Sequence, residues 1–391
     1  MSNTRAQTKT PVAGEGARQG LFGGVDPIAL LLEGRAFFGL IAIIAVFSYL
    51  SPNYFTFNNL LTMSSHVAIY GLLGLGMLLV ILNGGIDLSV GSTLGLCGVM
   101  AGFFIHGVEI APLGITLYPP IWVVAILVCG VGAFVGLING ILIARFRVPA
   151  FVATLGSLYA VRGVALLITN GLTYNNLGGK AALGNTGFDW LGFNRLFNIP
   201  VGVLVMIAVA IVLSVVLNRT AFGRWLYASG GNERAARLSG VPVQRVKVSV
   251  YVLSGVCAAI AGLVLSSELT SAGPTAGTTY ELTAIATVVI GGAALTGGIG
   301  NVRGTLLGAF VIGFLSDGLV IVGVSAYWQM VFTGAVIVLA VLLNSIEYRS
   351  GIRRSSASPG NDGATPAPQP IDAARPPGQG SAQPVPQKTA G

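Results

Sequence analysis

Between residues 36 and 347 the chain is a succession of long apolar runs separated by short polar or glycine-rich turns. A hydrocarbon layer about 30 Å thick takes roughly 20 helical residues to cross. That length predicts spans at 36–54, 60–82, 90–106, 121–144, 151–169, 201–218, 248–268, 282–297, 304–321 and 327–347. The third, eighth and ninth are short and rich in glycine. The pattern therefore reads as an all-α polytopic membrane protein of about ten transmembrane helices. Mixed polar residues fill 1–35 with no small-residue cleavage site after the first run, so this stretch is expected to persist as an N-terminal tail. Residues 348–391, rich in Pro, Gly, Ala and Gln, cannot bury enough apolar area to fold and are expected to be a disordered tail.

Composition agrees with the pattern. Of 391 residues, 53% are hydrophobic and 9% charged, against roughly 25% charged in soluble domains. The 56 glycines carry no collagen-like period and suit helices whose backbones approach closely. A net charge of +8 raises nucleic acid as a partner, but the basic residues are scattered between apolar runs and form no patch with interleaved aromatics. Cys97, Cys129 and Cys257 all lie inside apolar runs, which argues against a disulfide framework. No Cys or His spacing matches a metal site, and His66 and His106 each stand alone in the sequence, as packed or interfacial residues do. There is no Gly-x4-Gly-Lys-Ser/Thr loop and no constellation for acid–base or nucleophilic catalysis, so the chain is not expected to be an enzyme.

Charge orients the spans. With ten crossings, 18 of the 21 Lys and Arg residues fall on one side. They lie in the N-terminal tail, at Arg145 and Arg147, across 219–247, at Arg303, and beyond 348. Lys180 and Arg195 fall on the other side, and Arg162 lies within a span. The excess of positive charge marks the cytoplasmic face, which predicts that both termini are cytoplasmic.

Three groups of residues carry candidate chemistry. Within the 219–247 loop, Asn232 suits an N-cap, Glu233 a first turn, Arg237 a last turn and Gly240 a C′ position, with Pro242 barring continuation. The punctuated segment Asn232-Glu233-Arg234-Ala235-Ala236-Arg237-Leu238 is too short to persist alone in water. Its own helix ends or a docked partner must hold it, and Ala235, Ala236 and Leu238 form its small apolar surface. At the end of the second span, Gly84 and Gly85 permit a sharp turn, after which Asp87 or Ser89 is placed to cap the next helix. The outline Gly84-Gly-Ile-x4-Gly-Ser-x-Leu-Gly95 returns as Gly297-Gly-Ile-x4-Gly-Thr-x-Leu-Gly308, a faint internal repeat of a kind transporters use. Thr278-x-x-Glu281 has the spacing of a capping box opening the eighth span.

Together these stretches resemble the ribose/xylose/arabinose-type permeases of ATP-binding-cassette importers. The resemblance rests on Gly84-Gly-Ile-Asp-Leu-Ser-Val-Gly-Ser92, Arg162-Gly163, the 219–242 loop, Tyr280 to Gly292, Gly297-Gly-Ile-Gly300 and Tyr327-Trp-Gln-Met330. It runs in order over 36–347. The related branched-chain amino-acid permeases share the layout, and the Gly84–Gly91 wording is similar to the sugar branch. The resemblance implies a permease subunit in the bacterial inner membrane that passes a monosaccharide or sugar alcohol. It implies separate ATPase subunits that bind ATP and Mg, a periplasmic sugar-binding protein, and a second permease copy forming a homodimer or heterodimer. It also makes 232–240 the segment coupled to the ATPase. Ionisable residues within spans are costly and mark candidate path positions. Arg162 is open to pairing across helices, to snorkelling, or to lining the path and donating to sugar hydroxyls. Asp317 and Glu268 are open to interfacial solvation or a path-lining role. A stand-alone secondary transporter is the competing class; its coupling needs buried acid or His relays, of which the inner portions of these spans offer almost none.

Overall fold

A computed structural model describes residues 35–342 apart from 111, 113, 337, 340 and 341. The tails expected at 1–35 and 348–391 lie outside the described residues, Arg35 excepted. The described chain is mostly helical. Its helices are α1 (Arg35–Leu50), α2 (Phe57–Leu82), α3 (Val90–His106), α4 (Ile121–Ala144), α5 (Ala150–Thr169), the single turn α6 (Trp190–Phe193), α7 (Val201–Arg219), α8 (Ala221–Gly231), α9 (Glu233–Leu238), α10 (Val243–Glu268), α11 (Tyr280–Ile290) and α12 (Val302–Ile321). A further helix, α13, covers 326–336.

Six of these, α2, α4, α5, α7, α10 and α12, are long and apolar enough to cross a membrane. α1 from Ala36, α3 and α11 are apolar but shorter. The core is α2, apolar on all sides and buried from Val67 to Leu82 except at Tyr70, as a helix without a polar face must be. α10 packs on α2, α3 and α4, while α12 packs on α1, α2 and α11. The outward surfaces of α4, α5 and α7 expose Trp122, Ile126, Phe134, Leu167 and Ile211. Apolar area on that scale faces lipid.

Two ends can be told apart. Small antiparallel pairs gather at one: β1 (Val108–Ile110) with β2 (Ile115–Leu117), β3 (Tyr174–Asn175) with β6 (Ser271–Ala272), and β4 (Arg195–Leu196) with β5 (Ile199–Pro200). At the other, the 145–149 turn meets the 219–247 segment around a cavity that includes Arg147, Arg237 and Lys247. A second cavity there joins Arg219 to Arg303. Arg147, Arg219, Arg237, Lys247 and Arg303 thus gather at one end, hereafter the basic end, while Arg195 lies among the strand pairs at the other.

Three sequence expectations need correction. The eighth span, expected at 282–297, leaves the helix at Ile290, because Gly291 presses on the backbone at Gly304 and left-handed glycines follow at 292, 297 and 298. The capping box does not form. Thr278 gives its hydroxyl to the Thr275 carbonyl at 2.6 Å, and α11 starts behind a left-handed Thr279 (φ 71°) whose side chain caps nothing. The 219–247 segment, read as a loop with one small helix, holds two helices. Thr220 opens the first by accepting the N–H of Gly223.

Glycine spacing explains the tightest helix pair. Gly132, Gly136 and Gly140 stand four apart on α4, so they share a face. A Cβ at Gly132 would strike the Gly255 carbonyl, one at Gly136 the Tyr251 carbonyl, and one at Gly140 would come within 2.8 Å of the Val248 Cα. Backbone contact of this kind replaces the hydrophobic drive that lipid removes.

Gly136→Ala is expected to overpack this contact at a cost of about 1–3 kcal/mol, seen as a lower thermal midpoint in detergent. Gly130 on the same helix has open space where a Cβ would stand, so Gly130→Ala is expected to leave the midpoint unchanged or raise it. Equal loss in both variants would show that α4 and α10 do not approach as described.

Candidate functional site: a glycine junction and two polar clusters

The two echoing motifs meet in space. Each sits where a helix has broken off, and each opens the next one: Gly84 (φ 74°) precedes α3, and Gly297 (φ 94°) precedes α12. The Gly298 N–H donates to the Leu82 carbonyl at 2.9 Å. A Cβ on Gly297 would fall 3.0 Å from the Gly84 Cα. Left-handed backbone at these positions suits glycine, and so does the absence of space.

α8 closes the junction from the basic end. A Cβ on Gly230 would overlap the Leu82 carbonyl and lie 2.8 Å from the Gly298 nitrogen. The Tyr227 hydroxyl donates to the Gly300 carbonyl at 2.8 Å, and the Ser229 hydroxyl reaches the Asn83 side chain at 3.5 Å. One helix turn therefore touches both loops. Sequence reading missed α8, although Tyr227 and Gly230-Gly231 were a visible signal.

α9 follows directly. The Asn232 side chain accepts the Ala235 N–H at 2.9 Å, and Gly240 takes a left-handed φ of 84°, both as the punctuation predicts. Glu233 bonds Lys247 at 2.6 Å and Arg237 at 2.8 Å, so its carboxyl is held below the usual range, chiefly by the Lys247 hydrogen bond. Ala236 is buried against the chain's own structure, unlike the expectation that it joins an outward apolar face. Leu238 is 84% exposed, and Arg234 and Ala235 are also exposed. Arg237 is committed to Glu233, which leaves Arg234, Ala235 and Leu238 as the outward surface.

The turn after Gly85 is satisfied internally. Asp87, only 2% exposed, accepts the Ser89 N–H at 2.9 Å, the Ser89 hydroxyl at 2.6 Å and the Ser254 hydroxyl at 3.2 Å. Asn139 donates to the Ser89 hydroxyl at 2.9 Å and accepts from Ser157. Ser89 occupies the N-cap position of α3 but spends its hydroxyl on Asp87, so its side chain caps no helix N–H. Asp87 organises this turn.

Arg162 has carbonyl partners. Its guanidinium donates to the carbonyls of Pro274 and Ala276, each at 2.6 Å. Seven residues separate Arg162 from the end of α5, so this extended stretch dips about 10 Å below that end. It runs over Gly91 and Gly95 of α3, where added Cβ atoms would meet the Gly277 and Ala276 carbonyls. Non-helical backbone at membrane depth survives only where something hydrogen-bonds it, and Arg162 does so.

Glu268 and Asp317, taken separately in the sequence, come together around His66. His66 Nδ1 lies 2.8 Å from Asp317 Oδ1, and Nε2 lies 3.8 Å from Glu268 Oε1. His66 looked isolated because its partners are 202 and 251 positions further on. The cluster borders a cavity of about 290 Å³ shared by α2, α10, α11, α12 and, through Gln329, α13. Among the described residues no group of His, Cys, Asp and Glu is arranged to hold a metal ion.

Comparison with known proteins gives one consistent answer. A family described as branched-chain amino acid transport system / permease component matches residues 59–341. The ribose import permease protein RbsC of Escherichia coli K12 is 42% identical over 318 residues, covering 81% of this chain and 95% of its own. RbsC of Bacillus subtilis is 44% identical over 309 residues, covering 79% and 91%. The galactose/methyl galactoside import permease protein MglC of Escherichia coli K12 is 34% identical over 333 residues, covering 82% and 96%. No solved structure matches the chain.

Two outcomes check this geometry. Gly230→Ala and Gly231→Ala gain the same helix propensity, about 1 kcal/mol, but only the first collides with backbone. Gly230→Ala is expected to lower the melting temperature in detergent, and Gly231→Ala to hold or raise it. Arg162→Met strips two carbonyls of their donor, and each such loss costs about 1–3 kcal/mol. It should speed protease cleavage within 273–279, and an unchanged digestion pattern would refute the clasp.

Proposed function

The chain belongs to the branched-chain amino acid transport system / permease component family, and from that we propose that it is the membrane-spanning subunit of an ATP-binding-cassette importer for a monosaccharide or sugar alcohol. The family description names branched-chain amino acids, but the similar proteins are ribose and galactose import permeases aligned over more than nine-tenths of their length. That agreement over the whole permease body favours sugar over amino-acid cargo. The partners we propose are two ATPase subunits that bind ATP and Mg, a periplasmic sugar-binding protein, and a second permease copy. The site is the bacterial inner membrane.

Six long apolar helices, three shorter ones and α13 supply the ten crossings of this reading. Arg145, Arg147 and the 219–247 segment then lie in the cytoplasm with both termini, and Lys180 and Arg195 outside. The permease body spans 36–347, with tails at 1–35 and 348–391.

The observation that carries the mechanism is the contact of one α8 turn with both glycine loops. In this reading α9, from Asn232 to Gly240, is gripped by an ATPase through Arg234, Ala235 and Leu238. Closure of the ATPases moves α9, and Gly230 passes the motion to the Leu82–Gly298 contact. The loops that open α3 and α12 then shift together and change which side of the path is open. Arg162, Glu268 and Asp317 are the path candidates, Arg162 by fixing the 274–276 backbone.

Leu238→Asp and Ala235→Trp test the coupling, because both side chains point away from the chain's own structure. In vesicles holding the whole importer, both variants are expected to insert normally and lose sugar uptake, with ATP hydrolysis no longer stimulated by loaded binding protein. Uptake at the normal rate in both would remove α9 from the coupling path. Absence of import for every pentose and hexose tried with the unmodified chain would remove the sugar assignment.

A further inference from the structure

The cavity beside His66 has a composition that packing does not explain. Its walls carry His66 and Tyr70 from α2, Glu268 from α10, Tyr280 from α11, and Ser316 and Asp317 from α12. Each carboxylate turns one oxygen toward His66. The other oxygens, Glu268 Oε2 and Asp317 Oδ2, are shielded from solvent in this conformation and have no hydrogen-bond partner, so a ligand reaches them once a carboxylate rotation turns them into the cavity. The opening is real, since the His66 side chain is 42% exposed while Glu268 and Asp317 are 21% and 15% exposed. Carboxylates are not left facing hydrocarbon, so the opening faces water or a passing solute. The Tyr70 and Tyr280 rings stand edge to face with centroids 5.5 Å apart on the same wall.

These features select a ligand class. An ionised carboxylate accepts hydrogen bonds and donates none, so the uncommitted oxygens call for a neutral donor. His66 offsets part of the carboxylates' charge, and no metal-binding arrangement exists among the described residues. A molecule with several adjacent hydroxyls supplies donors for both carboxylates and presents C–H faces to the tyrosines. Concave, largely preformed sites with a few placed polar groups and aromatic walls are the usual form of small-molecule pockets.

We propose that this cavity is a binding station for a monosaccharide or polyol, with Glu268 and Asp317 accepting its hydroxyls, His66 orienting both carboxylates and the tyrosines bounding it. The proposal rests on the transport reading and adds to it a position and a set of residues. The station lies at the outer ends of α10 and α12, where sugar arriving from the binding protein enters. Its binding is weak, because a tight site would hold the cargo rather than pass it.

The test uses the full-length permease in lipid nanodiscs, with D-ribose, D-xylose and D-galactose as probes and saturation-transfer NMR as readout. Transfer to at least one sugar is expected, falling about tenfold in Glu268→Gln and Asp317→Asn, the loss for a hydrogen bond to a charged group. Ser316→Ala and Tyr280→Ala, which leave the carboxylates in place, keep the test decisive if the acid variants fold poorly; each is expected to weaken transfer about threefold, through a lost hydroxyl and a lost ring face. ATP-driven import of the same sugars is measured in parallel with the ATPase and binding protein present. Import without any transfer signal overturns the station and leaves the transporter standing. Transfer at wild-type strength in all four variants also overturns the station. No import of any probe by the intact complex overturns the transport reading itself.

Discussion

Leu82 gives its last helical carbonyl to the Gly298 N–H, and Gly230 presses on that bond from the basic end. Three stretches far apart in sequence meet there with no room for a side chain. The arrangement of α3 and α12 depends on it, since both helices start within a few residues of the contact. A hydrogen bond between backbones has few ways to yield except by moving its whole segments. Rigidity at that point makes the surrounding helices shift as a unit, which is the behaviour expected where packed elements have two discrete arrangements.

A second constraint is the shortage of backbone partners inside a membrane. Residues 83–89, 273–279 and 291–301 all depart from helix, and each is compensated by a few polar groups. Asp87, Ser89 and Asn139 serve the first, Arg162 the second, and Tyr227 together with Leu82 the third. Part of the sparse polar complement of the spans thus serves the places where helices break, while His66, Glu268 and Asp317 form a cluster of their own.

Much of this was legible in sequence. Long apolar runs set the main helices, and the caps of α9 could be read because capping depends on near neighbours. The failures share one cause. α8 lacks a membrane-length run and takes its place from contacts at Leu82, Gly298 and Gly300. α11 looked longer than it is because Gly291 and Gly292 sit in an apolar context, and the close approach of Gly304 decides where it ends. His66 seemed alone because Glu268 and Asp317 reach it only through the packing of α10 and α12 on α2. Local pattern specifies local structure, and the polar clusters are products of tertiary packing.

Arg162 and its partners also set an order of events in biogenesis. The carbonyls it holds belong to residues 112 and 114 positions later in the chain. At synthesis rates of about 5–20 residues per second, α5 waits roughly 6–23 s for them to leave the ribosome. During that interval the guanidinium faces the insertion machinery unpaired, a handicap of about 2.5–3.5 kcal/mol for a centrally placed arginine. α5 is therefore a provisional span, free to slide toward the interface until α10 and α11 arrive.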